Sequence, residues 1–224
     1  MHKLAIVGYG KMGRMIEALA PEYGFSIHAR VDINDDIQGA QGSDVAIEFS
    51  TPEAVVGNIE RLASFGIPVV VGTTGWLPQM DLVRAVIAAS GTGLVWSPNF
   101  SIGVNVFSRL VREAAKLLAD EPQYGAWAWE IHHHTKKDAP SGTLIKLVGE
   151  MKTAGYERAI DVGSNRAGAH PGTHEVGFDS AADTITLRHS ARSREGFARG
   201  ALKAAQWVVG KTGVFEFGEV LFSG

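Results

Sequence analysis

Cysteine is absent from the 224-residue chain. That excludes disulfides, thiolate zinc sites, iron–sulfur clusters and thiol catalysis. A basic excess is absent too. Lys plus Arg number 21 against 24 Asp plus Glu, a net charge of -3, so the electrostatic footprint of a general nucleic-acid binder is missing. No long hydrophobic run occurs. The longest charge-free stretch, between Arg84 and Arg109, is interrupted by Ser90, Gly91, Pro98, Asn99 and Gly103 and does not read as a membrane span. Met1-His2-Lys3 leads straight into a short apolar strand, too short for a signal-peptide core. The expected location is the cytoplasm, with neither nucleic acid nor membrane as partner. What remains is an ordinary globular composition, 45% apolar and 20% charged, long enough for one to two domains. Glycine is abundant, 27 residues without a collagen-like period, which suits turns and close backbone approaches.

The first hundred residues alternate strand and helix. Leu4–Gly8 is a buried strand, Lys11 to about Tyr23 a helix, Phe25–Asp32 an alternating strand and Val45–Phe49 a third strand. Ser50 and Glu53 fit a capping box, with Pro52 in the first turn of the next helix. Gly66 ends that helix and Pro68–Val71 follows as a strand. A helix over about 78–89 and a strand over Leu94–Trp96 complete the series, and strands so separated predict βαβ units on a parallel sheet. The second half reads as α+β. It carries a helix over about 104–118, a strand over Gly125–His134, and a helix capped by Ser141 that ends near Gly155. An antiparallel pair spans 173–178 and 184–189, and a last helix spans about 196–209.

Gly8-Tyr9-Gly10-Lys11-Met12-Gly13 fits G-x-G-x-x-G between a strand and a helix, the context in which that pattern binds a dinucleotide. Gly8 allows the turn, Gly10 lets the backbone approach a pyrophosphate, and Gly13 lets helix and sheet pack closely. The N–H groups of the helix N-terminus would face the phosphates. Asp32, 19 residues past Gly13, suits the acidic residue that accepts from the adenosine ribose. A carboxylate there repels a 2′-phosphate, so NADH is expected to be preferred. Lys11, Arg14 and Arg30 lie near enough in sequence for NADPH to be tolerated.

His132, His133 and His134 are consecutive. In a strand, His132 and His134 would share one face and His133 the other. Lys136, Lys137 and Asp138 follow, then Pro140 and Ser141 at a helix start with Gly142 and Thr143 in its first turn. A histidine, a lysine and an anion-binding helix start within a dozen residues suit a small dianionic substrate and proton transfer. No H-E-x-x-H pattern occurs, so no metal is expected. Glu130 reads as a structural partner.

Residues 130–143, E-I-H-H-H-T-K-K-D-A-P-S-G-T, resemble the signature of the 4-hydroxy-tetrahydrodipicolinate reductase (dihydrodipicolinate reductase) family. Gly72-Thr73-Thr74-Gly75-Trp76, residues 99–105 (N-F-S-I-G-V-N) and residues 197–201 (F-A-R-G-A) agree with it. The resemblance implies a Rossmann-like dinucleotide-binding domain over 1–103, to which 194–224 return. An α+β substrate-binding domain that builds a homotetramer would span 104–193. It implies NAD(P)H-dependent reduction of a cyclic imine, with hydride delivered to C4 and a proton added beside it, on the diaminopimelate route to lysine. By position, His132 matches the proton donor and Lys136 its partner. His133, Gly142 and Thr143 match substrate contacts, with Ser141 beside them. Gly72, Thr73, Thr74, Ser97, Pro98, Asn99 and Phe100 would lie by the nicotinamide. The glycine loop is one residue shorter than the G-x-x-G-x-M-G form common in the family. A reductase of another small dicarboxylate imine and a non-catalytic NAD-binding module are the alternatives.

Overall fold

A computed structural model describes residues 1–223. In chain order its elements are β1 (His2–Val7), α1 (Lys11–Leu19), β2 (Phe25–Val31), β3 (Val45–Glu48), α2 (Val55–Ser64), β4 (Val69–Val71), α3 (Met80–Ser90) and β5 (Gly93–Trp96). Then come α4 (Ile102–Leu117), β6 (Gly125–His132), α5 (Gly142–Thr153), β7 (Ile160–Arg166), β8 (Thr173–Asp179), β9 (Thr184–Ser190), α6 (Glu195–Val208), β10 (Gly213–Glu216) and α7 (Phe217–Phe222). Two compact units result: residues 1–102 together with 194 onward, and residues 103–193.

The first unit is a parallel six-stranded sheet ordered β10-β5-β4-β3-β1-β2. Its strands are apolar on both faces because helices cover both. Leu4, Ile6, Ile47, Val70 and Val95 face Ile16 of α1 and the row Ala198, Ala201, Leu202, Ala205 and Val208 of α6. Ala5, Val7, Ala46, Val69, Val71 and Leu94 face Val55, Ile59 and Leu62 of α2 with Val83 and Ile87 of α3. Each fully buried Ile, Leu or Val here contributes about 1.5–3 kcal/mol. The strand order reverses at β1, whose neighbours are β2 and β3, and a crevice at the carboxyl ends beside such a reversal is where ligands bind in sheets of this kind.

The second unit is a mixed four-stranded sheet ordered β7-β6-β8-β9, with β6 and β7 parallel and the other pairs antiparallel. One face buries Ala126, Ala128, Val176 and Phe178 against Phe107, Val111 and Ala115 of α4 and Leu144, Leu147 and Met151 of α5. The other face carries Trp127 and Trp129. Their rings lie over Gly177 and Gly163, where a Cβ would collide with them. Among the described residues no helix is long and apolar enough to cross a membrane.

Several expectations need correction. Ser50 does not cap α2: its hydroxyl turns back to the Glu48 carboxylate. The Thr51 carbonyl instead accepts from the N–H groups of Ala54 and Val55, so the helix begins at Val55, three residues past Pro52. β6 stops at His132, so His133 and His134 are not strand residues. The His132 carbonyl accepts from Ala167 N–H, and the His134 N–H goes to the Gly168 carbonyl. Leu110 and Leu117 of α4 are exposed. β7 and β10 are edge strands with few apolar residues. Neither they nor α7 have a periodicity that announces them.

Candidate active site

In the first unit the glycine turn follows β1. Gly8 has φ +91°, and a Cβ there would collide with the Phe49 carbonyl just past β3. A Cβ on Gly13 would stand 2.5 Å from the Gly8 carbonyl oxygen. These two glycines are therefore required by packing. Gly10 differs: it caps α1 without any side-chain cap, and a Cβ on it would meet nothing within 4 Å. No side chain caps the first turn of α1, and it carries no acidic residue. That cradle fits the pyrophosphate of a dinucleotide. Lys11 is exposed and Met12 half-buried. Tyr9 donates its hydroxyl to Glu17, and the guanidinium carbons of Arg14 and Arg30 each lie 5.9 Å from its ring centroid. Arg30 is paired with Glu17, and that pairing first, then the Tyr9 hydroxyl, lowers the Glu17 carboxyl to about 2. Asp32 stands exposed at the end of β2, its Oδ1 accepting from the Ile33 N–H at 3.0 Å. Gly8 N–H binds the adjacent Val31 carbonyl at 2.8 Å, so the glycine turn and Asp32 sit at the same end of the sheet.

Gly72, Thr73 and Thr74 follow β4 at that same end. Gly72 lies under the Phe49 ring, which leaves no room for a side chain, and its N–H binds the Glu48 carbonyl at 2.9 Å. Thr73 is buried, while Thr74 is exposed. After β5, Ser97 donates to the Asn99 carbonyl at 2.8 Å and accepts from the Asn99 N–H at 3.1 Å, with Pro98 exposed between them. Phe100 is a core residue: its ring packs on Phe217 at 4.9 Å and its carbonyl occupies the space a Gly200 Cβ would need. The residue overlooked in sequence is Glu48. It is fully buried at the end of β3, accepts from the Ser50 N–H at 3.1 Å and from Asn58 at 3.3 Å, and leaves Oε2 without a partner. Burial pushes its carboxyl up. A carboxylate closing the apolar run Val45-Ala46-Ile47 was the available signal.

In the second unit a buried polar cluster gathers at the end of β6. Glu130 is 0% exposed. Its Oε1 accepts from the Ser141 N–H at 2.8 Å, the Ser164 hydroxyl at 2.7 Å and Arg166 at 2.9 Å. Its Oε2 accepts from the Ser141 hydroxyl. Burial alone would raise this carboxyl, but the donors outweigh burial and hold it at about 2. Ser141 caps α5, accepting from the Leu144 N–H at 3.2 Å, so its hydroxyl is committed inward. His132 is 8% exposed, and its Nδ1 lies 3.4 Å from Glu130 Oε2 without hydrogen-bond alignment. Burial lowers its basicity and the Glu130 charge opposes that. His174 reaches the same oxygen at 3.3 Å, and burial lowers its pKa to about 4.

Lys136 is half-buried and pairs with Asp138 at 2.7 Å. Asp138 is held below the usual carboxylate range, by Lys136 foremost, with the Gly142 backbone contributing. His133 meets the Thr135 hydroxyl at 2.7 Å, and Thr143 is half-buried in the first turn of α5. His134 turns to the Gly168 carbonyl at 2.8 Å.

Glu130, His132 and His174 have the spacing of a metal-ligand group. The arrangement suits a cation poorly, because the Arg166 guanidinium already sits on the carboxylate and three further donors bind it.

Two family models cover nearly the whole chain: dihydrodipicolinate reductase N-terminus over residues 2–100 and C-terminus over 103–221. The chain belongs to the dihydrodipicolinate reductase family. Among family members, the 4-hydroxy-tetrahydrodipicolinate reductase of Christiangramia forsetii is 37% identical, covering 97% of each chain. That of an Anaeromyxobacter species is 39% identical over 85% of this chain and 78% of its own. A solved dipicolinate-bound dihydrodipicolinate reductase from Paenisporosarcina superposes with a TM-score of 0.83 over 98% of this chain and 99% of that one, at 20% identity. A mycobacterial amine dehydrogenase has a TM-score of 0.64 at 9% identity, over 95% of this chain and 94% of its own. The reductase fold, a parallel Rossmann-like sheet with a second mixed sheet, is therefore that of this chain, and the chain is an oxidoreductase of that family.

Proposed function

We propose that the chain reduces 4-hydroxy-tetrahydrodipicolinate, by way of its dehydrated cyclic imine, to tetrahydrodipicolinate on the diaminopimelate route to lysine. The observation that carries this reading is buried Glu130 with His132 3.4 Å and the Ser141 N–H 2.8 Å from its carboxylate, in a segment that runs on through Lys136, Gly142 and Thr143 in a member of this family. A nicotinamide dinucleotide, when bound, supplies the hydride. Residues 1–102 with 194 onward hold it through Gly8, Gly10, Gly13 and Asp32, with 72–74 and 97–100 at the same end of the sheet. Residues 103–193 bind the substrate dianion. His132 gives the proton to the carbon beside the one that takes hydride, since an imidazole titrates near neutrality. Lys136 and the first-turn N–H groups at Gly142 and Thr143 take a substrate carboxylate, which displaces the Asp138 carboxylate from Lys136.

NADH is the preferred cofactor and NADPH the tolerated one. Asp32 repels a 2′-phosphate, and Arg30, a cation near enough in sequence to offset it, is already paired with Glu17. Asp32→Ala should weaken NADH more than NADPH; equal loss for both would remove Asp32 from ribose recognition. The working assembly is a homotetramer in the cytoplasm. The face of the second sheet that carries Trp127 and Trp129, flattened over Gly163 and Gly177, supports self-association. The deciding experiment follows loss of reduced nicotinamide absorbance with freshly generated substrate, using NADH and then NADPH. Turnover that requires the imine is expected. Cofactor binding without turnover would leave a binding module or a reductase of another imine.

A further inference from the structure

The ring of His132 has two nitrogens, and their surroundings differ. Glu130 is ionised, and an ionised carboxylate only accepts hydrogen bonds. Its Oε1 is filled by three donors. Its Oε2 takes the Ser141 hydroxyl and has capacity left. Two imidazole nitrogens face that capacity, His174 Nε2 at 3.3 Å and His132 Nδ1 at 3.4 Å. His174 Nε2 also lies 3.2 Å from the Ser141 hydroxyl oxygen, and the two rings meet edge-on with centroids 5.0 Å apart. A bare ring nitrogen this close to a carboxylate oxygen brings two electron-rich atoms together, whereas an N–H is attracted. The other side of the His132 ring is different again. Nε2 lies beside Gly172, whose φ is +137° and where a Cβ would stand 2.9 Å from that nitrogen. One nitrogen faces a fixed acceptor, and the other faces a position kept free of side chain.

We propose that Glu130 and His174 are positioning residues that hold neutral His132 as its Nδ1–H tautomer, leaving Nε2 as the nitrogen that exchanges the proton. This rests on the reading of His132 as the proton donor. His174 contributes by donating its own Nε2–H to the shared oxygen and the Ser141 hydroxyl and by bracing the His132 ring edge. The Nδ1–H form is the less favoured one in free imidazole side chains, so its presence reports the enclosure and not intrinsic preference. Protonation at Nε2 then gives an imidazolium whose Nδ1 lies 3.4 Å from the Glu130 carboxylate, and the charge is stabilised where it forms.

The test is a long-range proton–nitrogen correlation spectrum of the full chain labelled with 15N-histidine, above the His132 titration, with His132 assigned by its loss in His132→Gln. A protonated Nδ1 and a bare Nε2 are expected; the reverse pattern overturns the proposal. His174→Phe should shift His132 toward the Nε2–H form and lower kcat about tenfold with KM changed less than twofold. His174→Gln keeps a donor and should restore most of the rate. Equal losses in both variants with an unchanged tautomer would remove His174 from the positioning role. Full turnover in His132→Gln would instead overturn the donor reading, and the spectrum would still decide the tautomer.

Discussion

The two halves of this chain build their candidate sites by opposite means. The first unit uses backbone: glycines where a Cβ would collide or obstruct, and unsatisfied N–H groups at the start of α1. The second uses side chains from four strands. Ser164, Glu130, His174 and His189 stand in register across β7, β6, β8 and β9, and Arg166 pairs beside His132. A backbone site tolerates most changes around it but few at its glycines. A charge cluster is the reverse, because removing one member strands the others without partners.

The largest effect expected to separate the halves is on stability. Glu130→Ala removes a fully buried carboxylate from half-buried Arg166 and should cost about 3–5 kcal/mol in denaturant unfolding; a loss under about 1 kcal/mol would show the cluster to be solvated. Next comes chemistry. His132→Gln should lower turnover on the order of 10²-fold or more while NADH binding, measured by its fluorescence, stays near wild type. Parallel loss of cofactor affinity would erase the division between the halves. The glycine loop gives a finer contrast. Gly10→Ala has open space and a β-region backbone, so its Tm should match wild type while NADH affinity falls about tenfold. Gly8→Ala must adopt φ +91° against the Phe49 carbonyl and should lose stability first. If Gly10→Ala binds NADH normally, the cradle is not a pyrophosphate site.

The smallest effect is in pH dependence. His174 titrates near about 4 in the folded chain instead of 6.5, so the unfolded chain takes up the proton first. Stability is full above about 6.5 and declines as the pH falls toward 4. Glu130, at about 2 instead of 4.5, extends the decline from about 4.5 downward. Melting temperatures across this range should show both limbs, and His174→Gln should flatten the upper one.

The backbone half was readable because its signals are local. Gly8, Gly10, Gly13 and Asp32 lie within 25 consecutive residues, and strand and helix periodicity frame them. The signature from Glu130 to Thr143 was equally visible, but its wiring was not. Arg166 and Ser164 come from β7, where the two positions nearest Glu130 are polar because they serve it. Hydrophobic periodicity therefore passed it over. His174 comes from a strand two turns of chain later. Ser50 misled in the same way: its apparent capping partner was Glu53, but buried Glu48 is the stronger competitor for its hydroxyl.

The sheet of the first unit is completed by β10, and one of its faces by α6, both from the last thirty or so residues. In chain order residues 103–193 form one uninterrupted stretch that precedes that segment. The second unit draws its core from that stretch alone, whereas without the last segment β5 is an open edge and the apolar row of Leu4, Ile6, Ile47, Val70 and Val95 lacks α6. A chain released early keeps its histidine cluster intact and lacks a finished cofactor sheet.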